Sequence, residues 1–207
     1  MRVLVYNRNM INKPHTFIFY GIAGSGKGTQ IKLLRDVLKA KDGRDTVYGY
    51  PGGEFRKLVE NGNLTGSTLK DAMEAGILLP DFLPNTVFAD ILISELTADK
   101  HLLADGFPRT VVQSENFEEM MKFYKREEII IVYIELSKEE AIKRMKIRAR
   151  PDDTDDGIAK RFDEYVKNII PSMNYFKGKV GYTMYTINGD QGIEEVHKEI
   201  ITKLNLV

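Results

Sequence analysis

The stretch from Gly21 to Thr29 reads GIAGSGKGT and stands between the apolar run Thr16–Tyr20 and the segment Gln30–Leu38, which has apolar residues at helical spacing. The β-branched and aromatic residues of the run predict a buried strand, and the later spacing predicts a helix. The four glycines among these nine residues let the backbone curl so that its N–H groups point into one hollow. The N-terminus of the helix adds partial positive charge at the same place.

These features predict a phosphate-binding loop rather than a ligand-free glycine-rich turn, because strand, glycine spacing, lysine and helix all agree. Lys27 can reach the β- and γ-phosphates of a nucleotide, and the Thr29 hydroxyl can face a Mg²⁺ ion. Most such loops place Ser or Thr directly after the lysine, whereas Gly28 intervenes here. This variant narrows the class of nucleotide-binding protein.

The composition restricts the class further. The chain has 207 residues, 30 acidic and 30 basic side chains, and no cysteine. This length suits one domain with a sizeable core, and the balanced charge disfavours nucleic-acid binding. No apolar stretch approaches the ~20 residues of a membrane span, and residues 1–13 lack the apolar segment of a signal peptide. We therefore expect a cytoplasmic monomer with no nucleic-acid or membrane partner, no disulfide and no zinc site built from cysteine.

Strand-like and helix-like segments alternate along the chain. Short apolar strands separated by helices predict a parallel sheet that is covered on both faces. Because ligands of such sheets bind beyond the carboxyl ends of the strands, loops that follow different strands can face one crevice. The predicted strands are 16–20, 46–50, 101–105, 129–136 and 182–187. The predicted helices are 28–40, 53–61, 67–76, 85–97, 111–124, 138–148, 155–176 and 192–204.

Two further motifs lie along the chain. Residues 103–110 read LADGFPRT, and residues 150–153 read RPDD, with Arg161 following eleven residues after Arg150. Together with the GKGT of the loop, these motifs resemble those of the nucleoside monophosphate kinases, and of adenylate kinases above all. The resemblance covers roughly residues 16–203. It implies an α/β three-layer P-loop NTPase fold with a five-stranded parallel sheet, and reversible phosphoryl transfer from MgATP to AMP, giving two ADP.

The resemblance also implies a division of the chain. Residues 1–15 would form an N-terminal extension and residues 16–207 a single kinase domain. Within that domain, residues 50–80 resemble the family's monophosphate-binding arm. Residues 148–156 stand where the family carries its lid, and they are shorter than the usual short lid. Asp155 or Asp156 is the candidate N-cap of the helix that follows.

The matching motifs indicate which residues of this sequence correspond to the family's functional residues. The resemblance implies that ATP contacts Gly24, Ser25, Gly26, Lys27, Gly28, Thr29, Arg144, Arg148 and Gln191. The acceptor would contact Gly52, Arg56, Ile77, Leu78, Leu79, Gly106, Phe107, Pro108, Arg109, Gln113, Arg150 and Arg161. The cations that neutralise the transferred group would be Lys27, Arg109, Arg148, Arg150 and Arg161, and guanidinium forks suit that purpose because they donate paired hydrogen bonds to phosphate.

Three acidic residues complete the implied site. Asp105 matches the family's carboxylate that holds Mg²⁺ through water, beside the Thr29 hydroxyl; a partly hydrated ion held by oxygen ligands is usual for Mg²⁺. Asp152 and Asp153 match an acidic pair that grips the closed lid, with a solvated acidic loop as the alternative. The histidines His15, His101 and His197 fall in no motif, and we expect structural or surface roles for them.

Base specificity is the open point. Gln113 stands four residues after Arg109, where adenylate kinases carry a glutamine that binds the AMP base and pyrimidine-selective relatives tend to carry asparagine. Where the family usually shows Ser-Thr-Gly-Asp, however, this chain has Tyr50-Pro51-Gly52-Gly53. Pro51 has neither a hydroxyl nor an N–H to offer a base, and Gly53 replaces the aspartate.

The alternatives follow from these departures. The first is the same reaction with CMP, UMP or another monophosphate as acceptor. The second is a nucleotide-binding regulator without catalysis, which the loss of Lys27, Asp105 or the arginines would support; all of these are present. A GTPase would need an Asn-Lys-x-Asp segment for guanine, and the sequence has none.

Overall fold

A computed structural model describes residues 13–74, 77–148 and 153–207. In these ranges the chain forms one five-stranded sheet in the order β2-β3-β1-β4-β5, and every neighbouring pair is parallel. The strands are β1 (Thr16–Tyr20), β2 (Thr46–Gly49), β3 (His101–Asp105), β4 (Ile129–Glu135) and β5 (Tyr182–Asn188). The predicted α/β fold with a five-stranded parallel sheet is confirmed.

Helices connect the strands and cover both faces of the sheet. Within the described ranges they are α1 (Lys27–Asp42), α2 (Pro51–Glu60), α3 (Leu64–Glu74), α4 (Phe82–Glu95), α5 (Val111–Phe123), α6 (Lys138–Arg148), α7 (Asp155–Glu164), α8 (Ile170–Tyr175) and α9 (Ile193–Lys203). A π-helical segment, Tyr165–Ile169, joins α7 to α8. None of these helices combines the length and the apolar character that crossing a bilayer requires.

Helices α2, α3 and α4 begin two or three residues before their predicted starts, and the N-cap of α7 differs from the predicted one. Helix α2 begins two residues earlier than predicted, because Pro51 occupies its first turn, where the missing N–H costs nothing. Helix α7 is capped by Thr154, whose Oγ1 accepts a 3.0 Å hydrogen bond from the Gly157 N–H. The expectation that Asp155 or Asp156 is the N-cap is therefore wrong; both lie in the first turn, where their charge favours the helix dipole.

The core lies on both faces of the sheet because successive strand residues point to opposite sides. Phe17 and Phe19 of β1 pack with buried residues of α1 and α9. Ile18 and Tyr20 pack on the other face with aromatic residues of α4, α5 and α8, including Phe88, Phe117 and Phe176. The parallel register pairs Phe19 with Asp105, so the loops after β1 and β3 leave the same edge of the sheet side by side.

Several predicted features lie outside the described residues. Of the predicted N-terminal extension 1–15, the structure describes only residues 13–15. Within the predicted lid 148–156, Arg150 and Asp152 fall in the gap 149–152. In the predicted arm 50–80, residues 75–76 are outside as well.

A buried histidine links the start of β3 to the end of α1. His101 begins β3 and has no exposed surface. Its Nδ1 accepts a 2.9 Å hydrogen bond from the His15 N–H, and its Nε2 lies 3.0 Å from Asp42 Oδ2. Since Nδ1 accepts, the proton of the neutral ring sits on Nε2 and is donated to Asp42. Asp42 also binds Arg44 at 2.7 Å, so His15 and His101 have the structural role that was expected.

This cluster predicts a pH dependence of stability. Burial lowers the pKa of His101, although Asp42 opposes that effect, so the folded state binds a proton less readily than the unfolded state. As the pH falls below about 6.5, the unfolded state takes up the proton and stability is lost, at no more than about 1.4 kcal/mol per pH unit. Urea unfolding at pH 7.5 and 5.5 should show a smaller loss for His101→Asn than for the wild type. Equal losses in the two proteins would contradict this role.

Candidate active site

The loop after β1 is closed around its own lysine. Lys27 Nζ donates to the carbonyl oxygens of Gly21, at 2.7 Å, and Ile22, at 3.0 Å. Gly26 precedes α1 with φ of 86°, a conformation that favours glycine. Gly21 has φ of 150°, and a Cβ there would lie 2.6 Å from Ser25 Oγ. The glycines therefore permit the tight curl that brings an ammonium group and a helix N-terminus to one place.

Asp105 lies beside this loop at the end of β3. It is 6% exposed, and its Oδ2 accepts a 2.6 Å hydrogen bond from the Tyr48 hydroxyl. Burial and the Asp105 charge both raise the pKa of Tyr48, so this tyrosine stays a donor. A Cβ on Gly28 would lie 3.9 Å from Asp105 Oδ2, so the carboxylate faces the first turn of α1. The predicted metal residues Asp105 and Thr29 thus belong to one neighbourhood of the fold.

Arg109 folds back over the turn that follows β3. Gly106 has φ of 65°, and a Cβ there would lie 2.6 Å from Arg109 Nη2. Burial lowers the pKa of Arg109, while Asp105 and Tyr50 raise it. Because arginine ordinarily keeps its proton far above neutral pH, the group stays a cation. A partly desolvated cation of this kind is well suited to bind an anion.

A cavity of about 210 Å³ opens between the loop, the turn after β3 and helices α2 to α4. The following predicted site residues line it: Lys27, Gly52, Arg56, Ile77, Leu78, Leu79, Gly106, Pro108, Arg109, Gln113 and Arg161. The lining therefore includes four cationic side chains, Lys27, Arg56, Arg109 and Arg161. Phe55, Met73 and Pro84 add apolar surface, which suits the flat face of a base.

The Gln113 side chain is held in one orientation by two hydrogen bonds. Its Oε1 accepts from the Arg109 N–H at 2.8 Å, and its Nε2 donates to Asp81 Oδ1 at 2.8 Å. The Thr110 hydroxyl donates to the same Asp81 oxygen at 2.8 Å and also caps α5. An N–H at one end and a carboxylate at the other fix which end of the amide is oxygen. Gln113 keeps one N–H and one lone pair for a ligand.

The lid-hinge arginines meet on Asp153. Arg148 donates to both carboxylate oxygens of Asp153, at 3.0 and 2.7 Å, and Arg161 Nη1 lies 3.5 Å from Oδ1. The Asp153 side chain is only 1% exposed. The carboxylate therefore joins the end of α6 to α7 across residues 149–152, and it brings Arg148 toward the arginine that lines the cavity.

Two predicted ATP residues, Arg144 and Gln191, lie near the loop but outside the cavity lining. Arg144 donates to Glu140 at 2.9 Å and to the Gln191 carbonyl oxygen at 3.3 Å. A Cβ on Gly24 would lie 3.5 Å from Arg144 Cβ, so α6 packs against the loop. Outside the cavity lining are Gly24, Ser25, Gly26, Gly28, Thr29, Asp105, Phe107, Arg144, Arg148, Asp153 and Gln191.

The Phe107 side chain does not reach the cavity, and several residues that line the cavity were not predicted from the sequence. The Phe107 side chain is 1% exposed and stacks 4.3 Å from Phe88 in the core, so only its backbone can face a ligand. Sequence reasoning missed Tyr50, Glu164 and Ile169 as cavity residues. Glu164 and Ile169 flank or belong to the π-helical segment, a feature that often marks functional sites and has no simple sequence signature.

Fold and cavity together define a nucleotide-binding protein of the P-loop class, with four cationic side chains in the cavity lining. Comparison with families of known proteins matches residues 19–180 to adenylate kinase. The chain belongs to the adenylate kinase family. It is 32% identical over 195 residues to the adenylate kinase of Leptospira biflexa, covering 90% of this chain and 98% of that protein. It is 29% identical to the adenylate kinase of Corynebacterium urealyticum, covering 91% of this chain and 98% of that protein. It is also 29% identical to the adenylate kinase of Prochlorococcus marinus, covering 93% of this chain and 99% of that protein.

The Asp81 contact predicts an effect on base preference. In Asp81→Asn, a neutral amide replaces the carboxylate that receives the Gln113 N–H, so the glutamine can rotate. We expect the dissociation constant for AMP, divided by that for CMP, to rise about fivefold. This is the effect of losing one net hydrogen bond of about 1 kcal/mol. Titration calorimetry measures both constants. Asp90→Asn, at an exposed position of the same helix, is the control and should leave the ratio unchanged.

Proposed function

We propose that this protein catalyses reversible phosphoryl transfer between MgATP and AMP, giving two ADP. The observation that carries the proposal is the cavity, which gathers Lys27 of the loop, Arg56 of α2, Arg109 of the β3 turn and Arg161 of α7. Four cations from four parts of the chain fit two phosphate chains that meet end to end. A site for one nucleotide alone gives no reason for Arg56 and Arg109 beyond the loop.

The reaction asks little covalent chemistry of the protein. An oxygen of the AMP phosphate attacks the γ-phosphorus of ATP, and the bond from that phosphorus to the β–γ bridging oxygen breaks. The attacking phosphate is already anionic near pH 7, since its second pKa is about 6. No general base is needed, and the cations stabilise charge on the transferring group. Arg148 is held by Asp153, which also lies close to Arg161 of the cavity lining. We propose that Arg150 joins these arginines when the lid closes.

Mg²⁺ fits the residues present. The Asp105 carboxylate and the Thr29 hydroxyl are the oxygen donors that Mg²⁺ prefers, with water and phosphate oxygens completing its shell. When bound, the ion supplies charge neutralisation at the β- and γ-phosphates. In the described ranges, no group of three or more His, Cys, Asp or Glu residues is arranged to hold a metal ion.

AMP is favoured over other acceptors because the Gln113 amide keeps one hydrogen-bond donor and one acceptor for the base. One N–H and one lone pair match the acceptor and donor that adenine presents on its pairing edge. The apolar residues Ile77, Leu78 and Leu79 face the same cavity. Pro51 contributes no hydrogen bond, so selectivity depends on Gln113. We propose residues 50–80 as the acceptor arm and 148–156 as the lid, within a kinase domain that spans 16–207.

Lys27→Met tests the proposal. The ammonium stabilises charge on the phosphates where water is largely excluded, so its loss should lower kcat by about 100- to 1000-fold. A coupled assay of ADP formation measures the rate, and thermal melting checks that the variant folds. Lys32→Met, an exposed lysine of the same helix, is the matched control and should keep full activity. A folded Lys27→Met protein with more than half the wild-type kcat would refute the assigned role.

A further inference from the structure

Tyr50 stands where the chain departs from its family. It follows β2 directly, precedes the Pro51 that begins α2, and lines the cavity together with Arg56 and Arg109. The family resemblance assigned it no role, because the position usually carries a small residue. Its contacts nevertheless place it beside Arg56, in the cavity that Arg109 also lines.

The Tyr50 ring and hydroxyl both hold Arg56. Arg56 Nη2 donates to Tyr50 Oη at 2.5 Å, and its guanidinium carbon lies 5.2 Å from the centre of the ring. Arg56 is otherwise an exposed side chain. An exposed arginine loses much rotational freedom when it binds a ligand, so an arginine already held over a ring binds at a lower entropic cost.

The Tyr50 ring also has neighbours besides Arg56. It stacks on Tyr48, with ring centres 5.3 Å apart and planes 27° apart, and Tyr48 in turn donates to Asp105. Gly52 and Gly53 lie against the ring as well, and an added Cβ there would come within 3.1 and 3.0 Å of ring carbons. The segment Tyr50–Gly53 is thus one unit, in which the two glycines make room for the ring.

The hydroxyl has one donor left over. A tyrosine hydroxyl can accept and donate at once; Tyr50 Oη accepts from Arg56, and within the part of the chain that the structure describes its O–H has no protein acceptor. A phosphate monoester offers three acceptor oxygens. Arg56 and Arg109 supply the charge for such a group, and the tyrosine adds a donor without adding charge.

We propose that Tyr50 is a substrate-binding residue whose hydroxyl donates directly to the phosphate of the acceptor nucleotide while its oxygen receives Arg56. This inference rests on the proposed function, since it assumes that a nucleoside monophosphate occupies the cavity. The contact is made to phosphate and not to the base. Its loss therefore weakens AMP and other monophosphates by the same factor and leaves ATP unaffected.

Tyr50→Phe tests the contact directly, because it keeps the ring and its stacking and removes only Oη. We expect the KM of AMP to rise about tenfold, as for a hydrogen bond to a charged group, with the KM of ATP unchanged within about twofold. Tyr185→Phe, on β5 and outside the cavity, is the matched control and should leave both constants unchanged. An unchanged KM for AMP in active Tyr50→Phe enzyme overturns the inference and leaves the proposed function standing; an inactive wild type overturns the function.

A double-mutant cycle separates donation to phosphate from the mere holding of Arg56. If Tyr50 acts only through the arginine, Tyr50→Phe has no further effect once Arg56→Met is present. Direct donation predicts that the KM of AMP rises again, at least threefold, in the double variant relative to Arg56→Met. Absence of that second rise overturns the proposal.

If Tyr50→Phe fails to fold, Gly53→Ala provides the test. The added Cβ makes the ring give way by a few tenths of an ångström while leaving both Tyr50 and Arg56 in the chain. We expect the KM of AMP to rise and that of ATP to stay the same. A normal KM for AMP in Gly53→Ala would count against the placement of the ring.

Discussion

The parallel pairing of β1 with β3 is the constraint on which the site depends. Phe19 stands opposite Asp105 in that register, so the loop that starts at Gly21 and the turn that starts at Gly106 emerge together. Both strands are buried on both faces, and a shift of one residue would send their side chains to the wrong faces of the sheet. The hydrophobic core thereby fixes the distance between the lysine of one loop and the arginine of the other.

The cations of the site are balanced by protein groups that a phosphate can replace or join. Lys27 is bound by loop carbonyls, Arg56 by a tyrosine, and Arg148 by the buried carboxylate of Asp153. Buried or half-buried charges are costly without partners. These contacts keep the charged groups in place and oriented, so a ligand meets an arranged site and loses less entropy on binding.

Much of the fold could be predicted from the sequence because its signals are local. The strands β1, β3 and β4 are short, largely buried apolar runs, and all five strands were predicted to within one residue of their ends. The helix that starts at Lys27 followed from spacing alone. The N-cap of α7 was assigned wrongly because Thr154 and Asp155 are both good caps, and only the backbone decides which one is used.

The site was less predictable where contacts join distant parts of the chain. The sequence motifs named Gln113 and Arg109, but nothing local indicates that Asp81, 32 residues away from Gln113, holds the amide. Tyr50 was noted only as part of a departure from the family's pattern; its role depends on Arg56 six residues later and on Tyr48 in the strand before it. Phe107 belongs to a motif that contacts substrate, yet its side chain serves the core.

The most direct test of the account supplies the protein with Mg²⁺ and ADP alone and follows the phosphorus resonances by NMR. A site that holds two nucleotides with their phosphate chains end to end must run the transfer in either direction. The account predicts that ATP and AMP appear in equal amounts, with no inorganic phosphate. Release of inorganic phosphate, or ADP that stays unchanged, would contradict it.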